Sequence, residues 1–367
     1  MRSLQLVREQ GSLVNRYKKI AWCAAAGGAL LVLPLLLQVL GAHWVRIADT
    51  CLLYVMLALG MNIVVGCAGL LDLGYIAFYA VGAYMVALLS SPHLTDNFAW
   101  IAAMFPAGLH TPWWITIPLA AALAAFFGAV LGAPTLKLRG DYLAIVTLGF
   151  GEIVRLLINN LGHPINLTNG AKGIGPIDSI TLFGLSLGKG VAFGGWAVEP
   201  VALYYYLFLG LTLLTVQICH RLQNSRIGRA WIAMRDDEMA AAAMGIDIRN
   251  MKLLAFAIGA SFGGVAGAMF GTFQGFISPE AFTLQESVIV VAMVVFGGIG
   301  HIRGVILGAV LLTALPEVLR YVVGPLQAMT DGRLDAGIVR PLLISLAMIV
   351  TMMWRPHGLW PSPDRGR

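Results

Sequence analysis

The stretch GASFGGVAGAMFGTFQG, residues 259–275, contains no charged side chain and has a glycine at every fourth position. It ends an apolar run that begins near residue 252, and runs of about 20 apolar residues can cross a bilayer as a helix. Helices in lipid associate through close contacts between small residues. The spacing therefore predicts a transmembrane helix with one slanted packing groove, formed by Gly259, Gly263, Gly267, Gly271 and Gly275.

Similar apolar runs fill most of the chain. Of its 367 residues, 59% are hydrophobic and 11% are charged, whereas soluble domains average about 25% charged residues. This composition predicts an all-α, polytopic membrane protein with about ten transmembrane helices. The expected spans lie near 20–40, 45–66, 69–90, 112–132, 142–161, 201–219, 252–275, 286–300, 304–323 and 338–354. Because Asp72 and Glu152 interrupt the third and fifth spans, we expect these two to be broken or re-entrant.

The basic residues indicate an orientation, since Lys and Arg concentrate on the cytoplasmic side of membrane proteins. With a cytoplasmic N-terminus, 17 of the 24 Lys and Arg residues fall on that side. The net charge of +6 thus reflects topology, and no basic patch interleaved with aromatic residues indicates a nucleic-acid partner. The expected layout has cytoplasmic tails at 1–19 and 355–367 and a transmembrane domain at 20–354. Its largest loops are a periplasmic one at 162–200 and a cytoplasmic one at 220–251.

The most charged segment is SRIGRAWIAMRDDEMAAAAMGIDIRNMK, residues 225–252, called the polar insert below. Either residue of its aspartate pair can cap a helix start, and the glutamate that follows lies in the first turn, where the helix dipole favours a negative charge. Four successive alanines favour helix, and Gly245 can end it in a left-handed conformation. This pattern predicts a short cytoplasmic helix of about two turns that docks onto another protein. A solvated loop is the alternative.

The chain shows no energy-converting motif of its own. A phosphate-binding loop needs G-x-x-x-x-G-K followed by Ser or Thr, and the nearest candidate, GLSLGKG at 184–190, has neither the spacing nor the hydroxyl. No metal-binding or hydrolytic motif occurs. A transport subunit driven by a separate ATPase fits these observations. A secondary carrier driven by an ion gradient is an alternative, and a membrane-embedded enzyme or assembly protein is disfavoured because catalytic residues do not cluster.

Four segments carry a resemblance to a known family. They are LDLGYIAFYAVGAY (71–84), LKLRGDYLAIVTLGFGEIVRLLINNL (136–161) with NLTNGAKGI (166–174), GRAWIAMRDDEMAAAAMGIDIRNMKLLAFAIGASFGGVAGAMFG (228–271) and VVFGGIGHIRGVILGAVLL (294–312). The sequence resembles the permease subunits of bacterial ABC importers for branched-chain amino acids, the LivM type. The resemblance covers most of residues 50–355.

The resemblance implies a heteromeric importer in the bacterial inner membrane, with both termini in the cytoplasm. The expected partners are a second related permease, two cytosolic ATPase subunits and a periplasmic amino-acid-binding protein. The chain itself is expected to be no enzyme and to hold no cofactor, since ATP and Mg would bind to the ATPase subunits. Coupling to these subunits is assigned to Arg235, Asp236, Asp237, Glu238, Ala240, Ala241 and Gly245.

A zwitterionic substrate with an apolar side chain needs a few polar groups and an apolar wall. Broken helices near the bilayer midplane can supply both. The expected substrate path therefore uses the two interrupted spans, through Tyr75, Phe78, Tyr79, Thr147, Gly149, Gly151 and Glu152. Ordinary packing is the alternative for the aromatic residues, and pairing with Arg155 is the alternative for the glutamate. Asn169 and Gly170 are expected to meet the binding protein, with turn formation as the alternative.

Overall fold

The computed structural model describes residues 27–329, apart from residues 40, 107, 136–137, 139, 183 and 194–195. Beyond residue 329 it describes 342, 345–346, 348–350, 352–355 and 358–360. The predicted N-terminal tail lies outside the described residues, as do parts of the first span, the tenth span and the C-terminal tail.

Most of the described part of the chain is helical. Its helices are α1 (Gly27–Val39), α2 (Ala42–Met61), α3 (Ile76–Leu89), α4 (His93–Asn97), α5 (Ala99–Met104), α6 (Trp113–Thr135), α7 (Asp141–Asn160), α8 (Pro200–Gln223), α9 (Arg226–Asp236), α10 (Glu238–Ala243), α11 (Ile248–Gln274), α12 (Leu284–Gly297) and α13 (Ile302–Met329). Within the described residues, six helices are long and apolar enough to span a membrane, and α1 and α3 are shorter apolar helices. The prediction of an all-α, multi-pass membrane protein is confirmed.

The third predicted span is interrupted, as the sequence indicates. A π-helix, Asn62–Cys67, continues α2, and residues 68–75 are then non-helical until α3 begins at Ile76. The eighth span is also composite, because a short 3-10 turn, Pro279–Ala281, precedes α12. A hydrogen bond from the Ser287 hydroxyl, in the first turn of α12, to the Leu73 carbonyl oxygen (2.6 Å) joins α12 to the non-helical segment before α3.

The fifth predicted span differs from the expectation. Helix α7 runs without a break past Glu152, because the Glu152 carboxylate pairs with the Arg155 guanidinium one turn later, at 2.9 Å. Pairs at this spacing neutralise each other on one face of a helix. The charge in this span is thus accommodated without loss of backbone hydrogen bonds.

Helix α11 is the centre of the core and packs most extensively against α6 and α3. Four of its predicted groove glycines lie against neighbouring elements. A Cβ atom at Gly267 would collide with the Tyr79 carbonyl oxygen, and one at Gly259 with the Val64 side chain. Such close approach is how helices associate in lipid. Gly275 differs from the expectation: it lies in open space and ends α11 with a φ of +69°.

Two small antiparallel hairpins mark one end of the bundle, called the hairpin end below. They pair β1 (Thr181–Leu182) with β2 (Leu185–Ser186) and β3 (Val191–Phe193) with β4 (Trp196–Val198). The loop that holds them is joined to the segment after α11 by a bridge between Ile174 and Ile277. The polar insert lies at the opposite end, called the α9–α10 end.

Candidate functional site

The polar insert folds into α9 and α10 and then enters α11. Each of these helices starts at a side-chain cap. The Ser225 hydroxyl accepts a hydrogen bond from the Gly228 amide, Asp237 accepts from the Met239 and Ala240 amides at 2.8 and 3.1 Å, and Asp247 accepts from the Asn250 amide. Asp237 is therefore the cap that the aspartate pair predicted, whereas Asp236 is the last residue of α9.

Helix α9 is fixed to the bundle by a buried tryptophan. Trp231 is 0% exposed, and its indole Nε1–H donates to the Met251 carbonyl oxygen at 2.9 Å. Met234, three residues later on the same face, is also buried. The apolar face of α9 thus packs inward, and the hydrogen bond from the buried indole fixes the orientation of the insert.

The base of α10 is fixed by an ion pair. Lys252 is 3% exposed, and its Nζ atom lies 2.6 Å from Oε1 of Glu238 in the first turn of α10. A buried ammonium group needs such a partner, because desolvating a single unpaired charge is costly. Glu238 is therefore a structural residue that holds α10 against α11.

The outward face of α10 is apolar and uncovered in the chain alone. Met239 and Met244 are 70% and 83% exposed, and the exposed alanines between them are Ala240, Ala242 and Ala243. We call these five residues the α10 surface. Ala241 is buried beneath it, and Gly245 ends the segment with a φ of +83°. Flexible methionines beside small residues form an adaptable contact surface.

Arg235 connects the polar insert to the interrupted span. Its guanidinium donates to the Gly66 carbonyl oxygen at 2.7 Å, at the end of the π-helix, and pairs with Asp236 at 3.3 Å. The Arg235 stem also fills the space beside Gly69, where the non-helical segment begins. A shift of α9 would therefore act directly on the chain that leads into residues 68–75.

The predicted substrate-path residues fall into separate surroundings. Tyr75 and Phe78 are buried, and the Tyr75 hydroxyl donates to the Gly259 carbonyl oxygen at 2.9 Å. On α7, the Thr147 hydroxyl accepts from the Leu73 amide at 3.0 Å and Gly151 packs on Gly74. These residues join α3, α7 and α11 to one another. Glu152 pairs with Arg155, and the position of Gly149 on α7 has open space around it.

Tyr79 is the predicted path residue that lines a cavity near the hairpin end. This cavity has a volume of about 140 Å³ and lies between α2, α3 and α11. We call it the Arg46 cavity, and its lining residues are Arg46, Thr50, Leu53, Tyr54, Leu57, Tyr79, Phe270, Phe273 and Gln274. Sequence reasoning missed these residues apart from Tyr79, because they come from three distant segments. Their only signal was Arg46, a charge just inside an apolar run.

The polar groups of the Arg46 cavity are held in place. The Arg46 guanidinium donates to Oε1 of Gln274 at 2.8 Å and lies 5.3 Å above the centre of the Phe273 ring. At the deeper side, the Tyr54 hydroxyl donates to the Glu286 carboxylate at 2.7 Å. The cavity thus combines one cationic group, several hydrogen-bonding groups and a largely aromatic wall.

Two further acidic side chains are buried within the bundle. Asp72 accepts a hydrogen bond from the Gly74 amide through one oxygen, which shapes the turn before α3. Asp49, a residue that the sequence reasoning overlooked, is 0% exposed on α2. Neither Asp49 oxygen has a hydrogen-bond partner among the described residues. A buried carboxyl of this kind is a functional candidate in a membrane protein.

The predicted docking residues on the hairpin-end loop form a turn. Asn169 has a φ of +59°, and its side-chain amide donates to the Gly173 carbonyl oxygen at 2.7 Å. Gly170 is buried against the Asn159 carbonyl oxygen. Both residues therefore form the turn that was given as the alternative, and docking to a binding protein stays a prediction. In the described part of the chain, no group of three or more His, Cys, Asp or Glu residues could hold a metal ion.

A multi-pass bundle with an interrupted span, an internal cavity and an anchored two-helix insert at one end is typical of a membrane transport protein. The family model described as "Branched-chain amino acid transport system / permease component" matches residues 44–353, and the chain belongs to this family.

Curated relatives agree with the family assignment. The chain is 42% identical over 330 residues to the high-affinity branched-chain amino acid transport system permease protein LivM of Escherichia coli strain K12, covering 86% of this chain and 70% of the relative. It is 30% identical to the probable branched-chain amino acid transport permease protein LivM of Methanocaldococcus jannaschii, covering 66% and 68%. It is also 26% identical to the permease protein LivH of Salmonella typhimurium, covering 85% and 92%. No solved structure matches the chain.

Proposed function

We propose that this chain is one of two related membrane subunits of an ATP-driven importer for branched-chain amino acids in the bacterial inner membrane. Two cytosolic ATPase subunits would dock at the α9–α10 end, and a periplasmic amino-acid-binding protein would dock at the hairpin end. Both termini would lie in the cytoplasm. The relatives named LivM and LivH are both similar to this chain, which supports a pair of related permeases as the membrane unit.

The α10 surface is the observation that carries this proposal. It presents two highly exposed methionines at one end of the bundle, while Trp231, Lys252 and the cap at Asp237 fix the helix from behind. An exposed apolar surface on a rigid support is typical of a protein-docking site. ATP and Mg would be bound by the docked subunits, and their movement would reach the bundle through this surface.

The direct test removes the apolar character of the α10 surface. The double variant Met239→Asp/Met244→Asp should abolish co-purification of the ATPase subunits and ATP-dependent leucine uptake in reconstituted vesicles, because buried unpaired carboxylates oppose docking. Ile165→Asp is the matched control, since Ile165 is 62% exposed at the hairpin end, and its complex should retain the ATPase subunits. Retention of the subunits and full uptake by the double variant would contradict the docking role.

Two other substitutions in the polar insert are less clean tests of docking. Glu238→Lys would place two cations together beside buried Lys252, so a loss of uptake would also report damage to the fold. Gly245→Pro should uncouple ATP hydrolysis from uptake, because proline requires a φ near −65° and this position has +83°. Both proteins should still insert into the membrane, which a membrane-fraction immunoblot measures.

The proposed orientation has its own test. Met244→Cys should react with a membrane-impermeant maleimide in inverted membrane vesicles and not in intact spheroplasts. Lys172→Cys, in the exposed hairpin-end loop, should show the opposite pattern. Labelling of Met244→Cys from outside the cell would overturn the orientation and the cytosolic ATPase partner with it.

We propose that Arg235 transmits the movement of the docked insert to the interrupted span. Arg235→Gln would lose the charge-assisted bond to the Gly66 carbonyl, an interaction of about 1.5–3 kcal/mol for a charged group. ATPase subunits should still co-purify, and ATP hydrolysis should continue, but uptake per ATP hydrolysed should fall severalfold. Arg249→Gln, which changes an exposed arginine of the same insert, should leave that ratio unchanged.

A secondary carrier is the second candidate function, and buried Asp49 and Asp72 favour it. Ion-driven carriers use intramembrane carboxyl groups of this kind. Vesicles that contain this chain alone, under an imposed proton or sodium gradient and without ATP, should then accumulate leucine. Under the importer proposal they accumulate none, and uptake requires the full complex with ATP.

A further inference from the structure

The Arg46 cavity combines the groups that a hydrophobic α-amino acid needs. The guanidinium of Arg46 is held at the cavity wall by the Gln274 side chain and the Phe273 ring. Among the described residues, no carboxylate lies within ion-pair distance of Arg46, although the buried Asp49 carboxylate one turn later interacts with its charge at longer range. Arginine binds carboxylates through two parallel hydrogen bonds when both N–H edges are available. The guanidinium therefore provides a receptor for an incoming carboxylate.

The rest of the wall suits an apolar side chain. The rings of Tyr79 and Phe270 pack with their centres 5.3 Å apart, and Tyr54, Phe273 and two leucines line the remaining surface. The volume is about 140 Å³, and an apolar protein cavity of about 150 Å³ can bind benzene. A four-carbon branched side chain is smaller than benzene. The apolar part of the cavity therefore suits a four-carbon branched side chain better than a two-ring one.

Polar atoms for the substrate ammonium group lie beside the guanidinium. The hydroxyl of Thr50 and the amide oxygen of Gln274 both line the cavity and can accept hydrogen bonds. Aromatic rings also attract cations over their faces. Tyr54 lies twelve residues into α2, ~18 Å along its axis, so the cavity leads from the hairpin end toward the middle of the bundle.

We propose that the Arg46 cavity is a binding site for one branched-chain α-amino acid on its way through the permease. The carboxylate binds to Arg46, the side chain lies among Tyr54, Tyr79 and Phe270, and the ammonium group binds near Thr50 and Gln274. This inference rests on the proposed function, because it assumes that the hairpin end receives the substrate. It adds a site in this chain where the substrate is held after leaving the binding protein.

The test measures protection of an introduced cysteine in the purified complex of permeases and ATPase subunits. Thr50→Cys should react with a small anionic thiosulfonate reagent, and 10 mM leucine should slow the reaction at least about fivefold. The background is the wild-type complex, in which Cys51, Cys67 and Cys219 of this chain are buried. Thr181→Cys is the control: it lies in a separate groove at the hairpin end, and leucine should not slow its reaction.

Removal of the receptor group sharpens the test. In Arg46→Gln/Thr50→Cys, the leucine concentration for half-maximal protection should rise about tenfold or more, as expected for a lost charge-assisted bond. 3-Methylbutylamine keeps the leucine side chain and ammonium group but has no carboxylate. It should therefore protect Thr50→Cys as weakly as leucine protects the Arg46→Gln/Thr50→Cys variant. Tryptophan should also protect weakly, because its side chain has two rings.

Three results would overturn the inference. One is unslowed reaction of Thr50→Cys at any leucine concentration, when the wild-type complex prepared in the same way imports leucine with ATP in vesicles. Another is protection that is unchanged by Arg46→Gln. The third is equal protection by leucine and inorganic phosphate, which would indicate a general anion site such as one for lipid headgroups. Loss of ATP-driven leucine uptake in the wild-type complex would instead refute the proposed function.

Discussion

The two ends of the bundle are built from different kinds of contact. At the α9–α10 end, three helix starts are fixed by side chains that bond to amides two or three residues away. At the hairpin end, the Arg46 cavity is closed by contacts between residues more than 200 positions apart, such as Arg46 with Gln274 and Tyr54 with Glu286. One end is locally encoded, and the other exists only after the helices pack.

This difference predicts how each end responds to mutation. A substitution at the α9–α10 end should act mostly on the polar insert, except where a side chain anchors the insert to the bundle. A substitution in the wall of the Arg46 cavity should act on the relative placement of several helices. The predictions that follow test this contrast, beginning with the largest expected effect.

Trp231→Ala should produce the largest loss of stability. Removing a fully buried large aromatic side chain costs about 3–5 kcal/mol, and the Met251 carbonyl would also lose its donor. The insert should detach while the bundle stays folded, so limited proteolysis of the reconstituted complex should cut within residues 225–252. Ile232→Ala, at the exposed neighbouring position, should leave the cleavage rate nearly unchanged. Equal resistance of the Trp231 variant and wild type would show that the insert is not anchored there.

Tyr54→Phe should cause a smaller loss of stability, which should affect the whole bundle and not the polar insert alone. The change leaves Glu286 without the hydroxyl that now donates to it, and an unsatisfied, partly buried charged acceptor costs about 1–3 kcal/mol. The melting temperature of the purified complex should fall, while proteolysis within the polar insert stays unchanged. Faster cleavage of the insert in this variant would contradict the independence of the two ends.

The fold class was predictable because it depends on composition and spacing. Runs of apolar residues fix the helices, and the glycine repeat in residues 259–275 indicates the packing surface of α11, where Gly267 meets Tyr79. Asp72 correctly indicated an interrupted span, since its carboxylate bonds to the turn that begins α3. The same interpretation was wrong for Glu152. Its carboxylate pairs with the Arg155 guanidinium one turn later, so α7 continues without a break.

The sequence predicted those features of the candidate sites that depend on residues close together in the chain. The cap at Asp237 and the helix end at Gly245 follow from residue preferences at fixed spacing. The ion pair between Glu238 and Lys252 does not follow from such preferences, because no sequence pattern connects the two residues. The hydrogen bond from Arg235 to the Gly66 carbonyl likewise forms only in the folded bundle. The Arg46 cavity could not be predicted, because three helices must pack before its wall exists.

Asp237→Ala gives the smallest expected effect and the most direct test of local encoding. Loss of an N-cap costs about 1 kcal/mol, so α10 should open about fivefold more often. Proteolysis that samples the open state should accelerate by the same factor, with cleavage confined to residues 237–246. Asp236→Ala is the matched control, because within the described residues Asp236 caps no helix and pairs only with Arg235, a contact of about 0–1 kcal/mol. If both variants were cleaved at the same rate, the Asp237 cap would not determine the stability of α10, and the long-range anchors at Trp231 and Lys252 would hold the insert by themselves.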